Sequence, residues 1–182
     1  MTRSIARMGN PILHQRAKKI EDPHDPKIKI LIKDLIEACH ATQGTGLSAP
    51  QLFHSERIVV FHASKERAAK HGYHQEIPFT VLINPVILPL SNAIAMTWEG
   101  CLSIPGMMGE VPRYTHIRYH GLTPEGEYLE REVDGFHAYI VQHECDHLDG
   151  ILYPMRMTDL SRFGFVEEFR NILPENYIEE FI

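Results

Sequence analysis

Read in chain order, the sequence predicts an α+β fold of mostly antiparallel sheets packed around a central helix. Three observations carry this. Apolar residues recur at three- and four-residue spacing near the N-terminus; short runs rich in β-branched and aromatic residues fill the middle; helical spacing returns after residue 134. Helix, then strands bounded by turns, then helix favours antiparallel pairing over alternating βαβ units.

The first helix is written in "DPHDPKIKILIKDLIEACHATQGTG". Asp25 is placed to cap it, and Pro26 fits the first helical position, where a missing N–H costs nothing. Ile28, Leu31, Ile32, Leu35, Ile36 and Cys39 form one apolar face that ends near Gly44. Strands are expected at 56–63 ("ERIVVFHA") and 79–87 ("FTVLINPVI"), with the charged "SKERAAKHGYHQE" between them as a surface connection. The run "MTWEGCLSIPG" is strand-like, with Pro105 ending regular pairing. Next, "HIRYHGL" and "EYLEREVD" make a hairpin across "TPEGE". After Asp134, an N-cap, the residues Phe136, Tyr139, Ile140, His143, Glu144, His147 and Leu148 keep helical spacing up to Gly150, which suits a left-handed C-terminal cap. A last helix is expected over "LSRFGFVEEFRNIL", stopping at Pro174.

With 182 residues the chain is expected to be a single domain, 1–182, with no repeat or linker dividing it. Hydrophobic residues at 43% and charged residues at 23% exclude a disordered chain. A net charge of −6 with scattered Lys and Arg argues against gripping nucleic acid through phosphates. The longest apolar run, "VLINPVILPL", holds Asn84 and two prolines, so no membrane span is expected. No signal or transit segment is legible at the N-terminus, so a cytoplasmic protein is expected. Three cysteines are too few for a disulfide framework; free thiols or a metal ligand are the alternatives.

The chemistry sits in "QHECDHLDG". Residues four apart on a helix differ by about 40° around its axis, so His143 and His147 project from one face and can share an ion. Glu144 is about 100° round from His143, near enough for its carboxylate to act on water that the ion activates, without binding the ion. The central helix of the fold is therefore expected to be a metal-binding helix, although in a chain with twelve histidines the pattern also arises by chance or as a satisfied polar patch. Two histidines do not finish a catalytic site, which ordinarily has three protein ligands and an open position. The metzincin pattern needs a histidine where Tyr153 stands, so it fails. Glu167 or Glu168 offers a zincin-like completion. Cys39 and Cys145 fit simple packing. Cys101 in "MTWEGCLSIPG" could bring a thiolate to the ion from a neighbouring strand, although a buried cysteine is ordinarily just a small hydrophobe.

Three stretches, "GTGLSAPQ" (44–51), "EGCLS" (99–103) and "HECDH" (143–147), resemble in order and separation the signature motifs of the peptide deformylases. These enzymes remove the N-formyl group from nascent chains that begin with formylmethionine. The opening "GNPILHQRA" is also similar to that family. The resemblance implies that Cys101, His143 and His147 hold one metal ion per chain and that Glu144 is the general acid/base. It implies that the Gln51 side-chain amide and the Leu102 backbone N–H stabilise the oxyanion, and that Gly46 borders the substrate. Phe136, Tyr139 and Ile140 would line the methionine pocket; ordinary core packing explains each of the three equally well. Cysteine plus two histidines suits zinc and also accepts Fe(II), Ni or Co; the resemblance implies Fe(II), with Zn as substitute. The implied partners are an N-formylmethionyl peptide and, transiently, the ribosome exit region, in a bacterial cytoplasm. Two features depart from the family pattern. Ser48 and Pro50 replace more usual residues in the first motif, and the tail "LPENYIEEFI" is acidic where some relatives carry a basic ribosome-docking helix. Two rival readings stand beside this one: a zincin-like peptidase using Glu167 or Glu168, and a closed structural metal site.

Overall fold

The computed structural model describes residues 4–174 and Ile178. The helices are α1 (Pro26–Thr42), α2 (Lys65–Lys70) and α3 (Gly135–Leu148). The strands are β1 (Gly46–Ser48), β2 (Ile58–Ala63), β3 (Ile77–Pro89), β4 (Ile94–Cys101), β5 (Ile104–Tyr114), β6 (His116–Leu122), β7 (Tyr128–Asp134) and β8 (Phe163–Phe165). They form two sheets, ordered β1-β2-β3-β6-β7 and β4-β5-β8, with every named pair antiparallel. The fold is thus α+β, as predicted. No helix among the described residues is long and apolar enough to cross a membrane.

Asp25 caps α1 through a hydrogen bond from the Lys27 N–H at 2.8 Å. The helix buries Leu31, Ile32, Leu35 and Cys39 against Ile58, Val60 and Ile83 of the larger sheet. It ends one residue before the predicted glycine: Gln43 takes the left-handed conformation (φ 53°), leaving Gly44 to face Leu102. α3 is covered on most sides, with ten of its 14 residues buried. It touches β1, β2, β3, β6 and β7 of one sheet and β5 of the other. Gln142 ties it to the second sheet, its amide accepting from the Tyr114 N–H at 3.0 Å and donating to the Tyr114 carbonyl at 2.9 Å. Gly150 (φ 74°) follows the helix, and a Cβ there would lie 2.7 Å from the His14 carbonyl carbon. Positive φ and close approach of the N-terminal segment both require glycine at this point.

The predicted last helix does not form. Leu160–Arg162 is a 3-10 turn, Phe163–Phe165 pairs with Met107–Gly109, and Val166–Phe169 is a second 3-10 turn. Gly164 and the period-two aromatics of "FGF" favour an edge strand, and a free sheet edge outweighed the helical propensity around it. The expected surface connection contains α2, capped by Ser64 Oγ, which accepts from the Arg67 N–H at 3.2 Å. "MTWEGCLSIPG" is two strands joined by a tight turn, and Pro105 sits inside β5. Register jumps there from Cys101↔Ile104 to Gly100↔Met108, so the proline occupies a gap in the ladder where no N–H is needed. The acidic tail expected over 173–182 lies outside the described residues except for Leu173, Pro174 and Ile178.

His137 tests how this core responds to acid. Its ring is 4% exposed, sits 3.3 Å from the Tyr119 hydroxyl and packs near Phe61 and Tyr73. Burial, reinforced by the Arg131 charge, pushes its pKa down to about 4. The unfolded chain therefore takes up the proton first. The neutral ring's contribution is complete above pH ~6.5 and is lost as pH falls toward 4. Between pH 7 and pH 4.5 the wild type should lose about 2 kcal/mol more stability than His137→Phe in urea titrations. Equal losses would refute this.

Candidate metal centre and cleft

α3 places His143 and His147 one turn apart, their rings 5.1 Å apart and nearly perpendicular. β4 ends at Cys101, where the register jump turns Sγ toward the helix, 3.3 Å from His147 Nε2. Among the described residues these three form a ligand group whose donor atoms all lie within 4.8 Å of one another. Burial opposes ionisation of Cys101, yet the charges and hydrogen bonds of His147 and His143 outweigh it and hold the thiol well below its ordinary range. For His143 burial is likewise outweighed, here by Cys101 and Glu99, and its pKa is raised.

The donor set fits a divalent ion of the zinc or ferrous type: one thiolate and two imidazoles, leaving a position open. His143 Nδ1 pairs with Glu99 Oε2 at 2.8 Å, which fixes the ring and leaves Nε2 for the centre. Next to this group, Glu144 is 5% exposed and its Oε2 has no hydrogen-bond partner among the described residues. Burial pushes its pKa up to about 7 despite the opposing pull of His143 and His147. A buried carboxylate with an unsatisfied oxygen is costly unless something meets it there.

Gln51 approaches from the 3-10 turn Ala49–Leu52 that follows β1. Its Oε1 accepts from the Ser48 N–H at 2.8 Å and the Ser48 hydroxyl at 3.0 Å. With the oxygen held by two donors, the amide NH2 must face the centre, where it lies 3.3 Å from Ser103 Oγ and 3.6 Å from Cys101 Sγ. Ser48, a departure in the first motif, thus orients the neighbouring glutamine. Gly46 is pressed against the carboxylate: a Cβ there would lie 2.3 Å from Glu144 Oε1.

A cleft of about 600 Å³ opens over the centre. Gly46, Gln51, Cys101, Leu102, His143 and Glu144 line it, as do Phe136, Tyr139 and Ile140. His147 is absent from the lining and is buried behind it at 1% exposure. Glu167 and Glu168 are exposed in a 3-10 turn and do not join the ligand group, which removes the support for a zincin-like centre.

Sequence reasoning missed the charged frame behind the ligands. Arg113 grips Glu99 with Nε at 2.6 Å and Nη2 at 2.9 Å, and reaches Asp146 with Nη1 at 2.6 Å. Arg156 closes the far side of Asp146 at 2.7 Å. Arg113 outweighs burial to keep Glu99 ionised, and Glu99 and Asp146 do the same for the guanidinium. Glu99 and Asp146 lay inside quoted motifs, a signal that could have marked them. Arg113, in "EVPRY", had none.

A thiolate beside two imidazoles, with a carboxylate one helical step away at the floor of a cleft, is the constellation of a metal-dependent hydrolase. The sequence profile of the polypeptide deformylase family matches residues 2–163. A peptide deformylase of Nitrosomonas europaea is 46% identical over 92% of this chain and 94% of its own length. Another from Ralstonia nicotianae is 45% identical over 97% and 99%. Among solved structures, a peptide deformylase from Ehrlichia chaffeensis superposes with a TM-score of 0.79 at 30% identity, covering 89% of this chain and 91% of that one. The Met-Ala-Ser-bound class I type b enzyme of Acinetobacter baumannii gives 0.78 at 30% identity, covering 86% and 99%. The chain belongs to the polypeptide deformylase family, whose members are metal-dependent enzymes.

Proposed function

We propose that this chain removes the N-formyl group from N-formylmethionyl nascent polypeptides and releases formate. The observation that carries the reading is the Glu144 carboxylate: buried, with one oxygen unsatisfied among the described residues, and beside a three-residue group able to hold a metal and an oriented glutamine amide. The peptide bound to the Acinetobacter relative, Met-Ala-Ser, is the kind of chain that deformylation leaves behind.

Cys101, His143 and His147 would hold one ion, Fe(II) in the cell, with Zn, Ni or Co accepted in the purified protein. When bound, the ion supplies Lewis acidity and lowers the pKa of water at its open position. Glu144 takes the proton from the attacking water and delivers it to the amine nitrogen as the C–N bond to the formyl carbon breaks. Gln51 Nε2 and the Leu102 N–H are neutral donors for the oxygen of the tetrahedral intermediate. Because Ser48 holds Gln51 in place, that donor needs no reorganisation as charge develops. Phe136, Tyr139 and Ile140 receive the methionine side chain, and Gly46 lets the substrate backbone run close to Glu144. The chain acts as one catalytic domain in a bacterial cytoplasm. It meets its substrate transiently near the ribosome exit.

Protein reconstituted in turn with Fe(II), Ni(II) and Zn(II) should release formate from a formyl-Met tripeptide. Silence from all three metal forms would end this reading.

A further inference from the structure

The cleft reaches well past the metal group, and its lining takes in every residue of β4 from Ala95 to Cys101. Side chains of a strand alternate between its two faces, so an unbroken run lines a cavity through the strand's edge. β4 stands at the end of the order β4-β5-β8, and among the described residues it pairs only with β5. Its other edge therefore turns N–H and carbonyl groups to the cleft, a ready means of holding an extended peptide. From Cys101 to Ala95 is six steps along the strand. At about 3.3 Å each they make an edge roughly 20 Å long, whereas three residues of extended peptide cover about 10 Å. With the formyl end at Cys101 and Leu102, the substrate chain leads away toward Ala95, and the distal half of the edge meets its fourth to sixth residues.

This distal half is apolar. Met96 is 47% exposed and lies two residues from Trp98, on the same face of the strand. Trp98 packs on Phe169 with ring centroids 4.8 Å apart, and Leu173 joins the same cluster. Leu173 and Pro174 are themselves part of the cleft lining, so this wall is built of Met96, Trp98, Leu173 and Pro174. Arg162 lies over the Trp98 ring at 4.7 Å, but it is paired with Glu110 at 3.2 Å and is not in the lining. On the strand's other face Thr97 Oγ1 donates to Glu99 Oε1 at 3.2 Å, so those side chains belong to the charged frame behind the metal ligands. The unbranched methionine side chain adapts to apolar partners of different shape. Leu173 and Pro174 also lie beyond residues 2–163 that the family profile matches, so this part of the wall is no part of the matched domain.

We propose that Met96 and Leu173 form an apolar subsite that favours a large aliphatic residue among the fourth to sixth positions of the substrate. This rests on the deformylase reading of the cleft, and two measurements separate the claims. The first uses formyl-Met-Ala-Ser-Ala-Ala-Ala and its three analogues with leucine at position four, five or six, on protein reconstituted with Ni(II). At one of these positions leucine should raise kcat/KM roughly threefold to tenfold over the all-alanine tail, the gain expected from partial burial of the added carbons, with KM carrying most of it. Taken as a ratio within each protein, the preference should fall toward one in Met96→Ser and in Leu173→Ala, and Met96→Leu should keep it. Met96 is exposed, so Met96→Ser leaves the core intact even if Leu173→Ala loosens its cluster. The second measurement, calorimetric binding of the same four peptides without the formyl group, needs no turnover and should show the same order. Equal affinities and equal kcat/KM across the four peptides, or a leucine preference that survives Met96→Ser, overturns the assignment. Formate from every peptide with no leucine preference removes the subsite and leaves deformylation standing; a leucine preference in binding with no formate from the wild type does the reverse.

Discussion

Protein carrying Glu144→Gln is expected to retain one metal ion per chain and to release formate about 10²–10⁴-fold more slowly than the wild type. Glutamine keeps the volume that Gly46 packs against, so the cleft is preserved while the proton acceptor is lost. Glu144 is also not a member of the ligand group, which is why metal should stay. Cys101→Ala gives the contrasting outcome: Sγ is one of the three converging donors, so metal and turnover should vanish together. Metal content after gel filtration, paired with a formate assay, reads both. If Glu144→Gln emptied the site, or kept the wild-type rate, its assigned role would be wrong.

The second large effect is expected at Arg113. The guanidinium is 3% exposed and bridges Glu99 and Asp146, which are both buried. Arg113→Met keeps much of the volume and removes the shared cation, leaving Glu99 only His143 and Asp146 only Arg156 in a low-dielectric interior. Breaking a buried pair from one side ordinarily costs about 3–5 kcal/mol, and urea denaturation should show a loss of that order. Metal affinity should fall as well, by roughly 10–100-fold, because Glu99 also orients the His143 ring. A loss below about 1 kcal/mol would mean that His143 and Arg156 alone suffice to hold the two carboxylates.

The metal helix and the hairpin strands were legible because periodicity is a local property, and β6 falls exactly where "HIRYHGL" places it. The grouping of Cys101 with His143 and His147 was legible through motif order, since nothing in the spacing of the two histidines points to a cysteine in another sheet. The last helix was misread because "LSRFGFVEEFRNIL" has fair helical content, whereas its strand character comes from the β5 edge at Met107–Gly109. Arg113 was invisible for a related reason: its two carboxylates come from β4 and α3, and no local pattern joins the three. The role of Ser48 was hidden in a position that looked like a tolerated replacement. Side-chain partnerships across sheets depend on register and packing, and one sequence carries those only implicitly.

The division of the ligands between α3 and the end of β4 has a consequence for the order in which this molecule matures. The imidazoles share a helical turn and exist as a pair as soon as α3 forms. The thiolate comes from a strand 42 residues upstream of His143, in the other sheet. Closing that loop belongs to the slow, non-local part of folding. A chain with only its larger sheet assembled would offer an ion two nitrogens and hold it weakly, so tight capture reports that the two sheets have met.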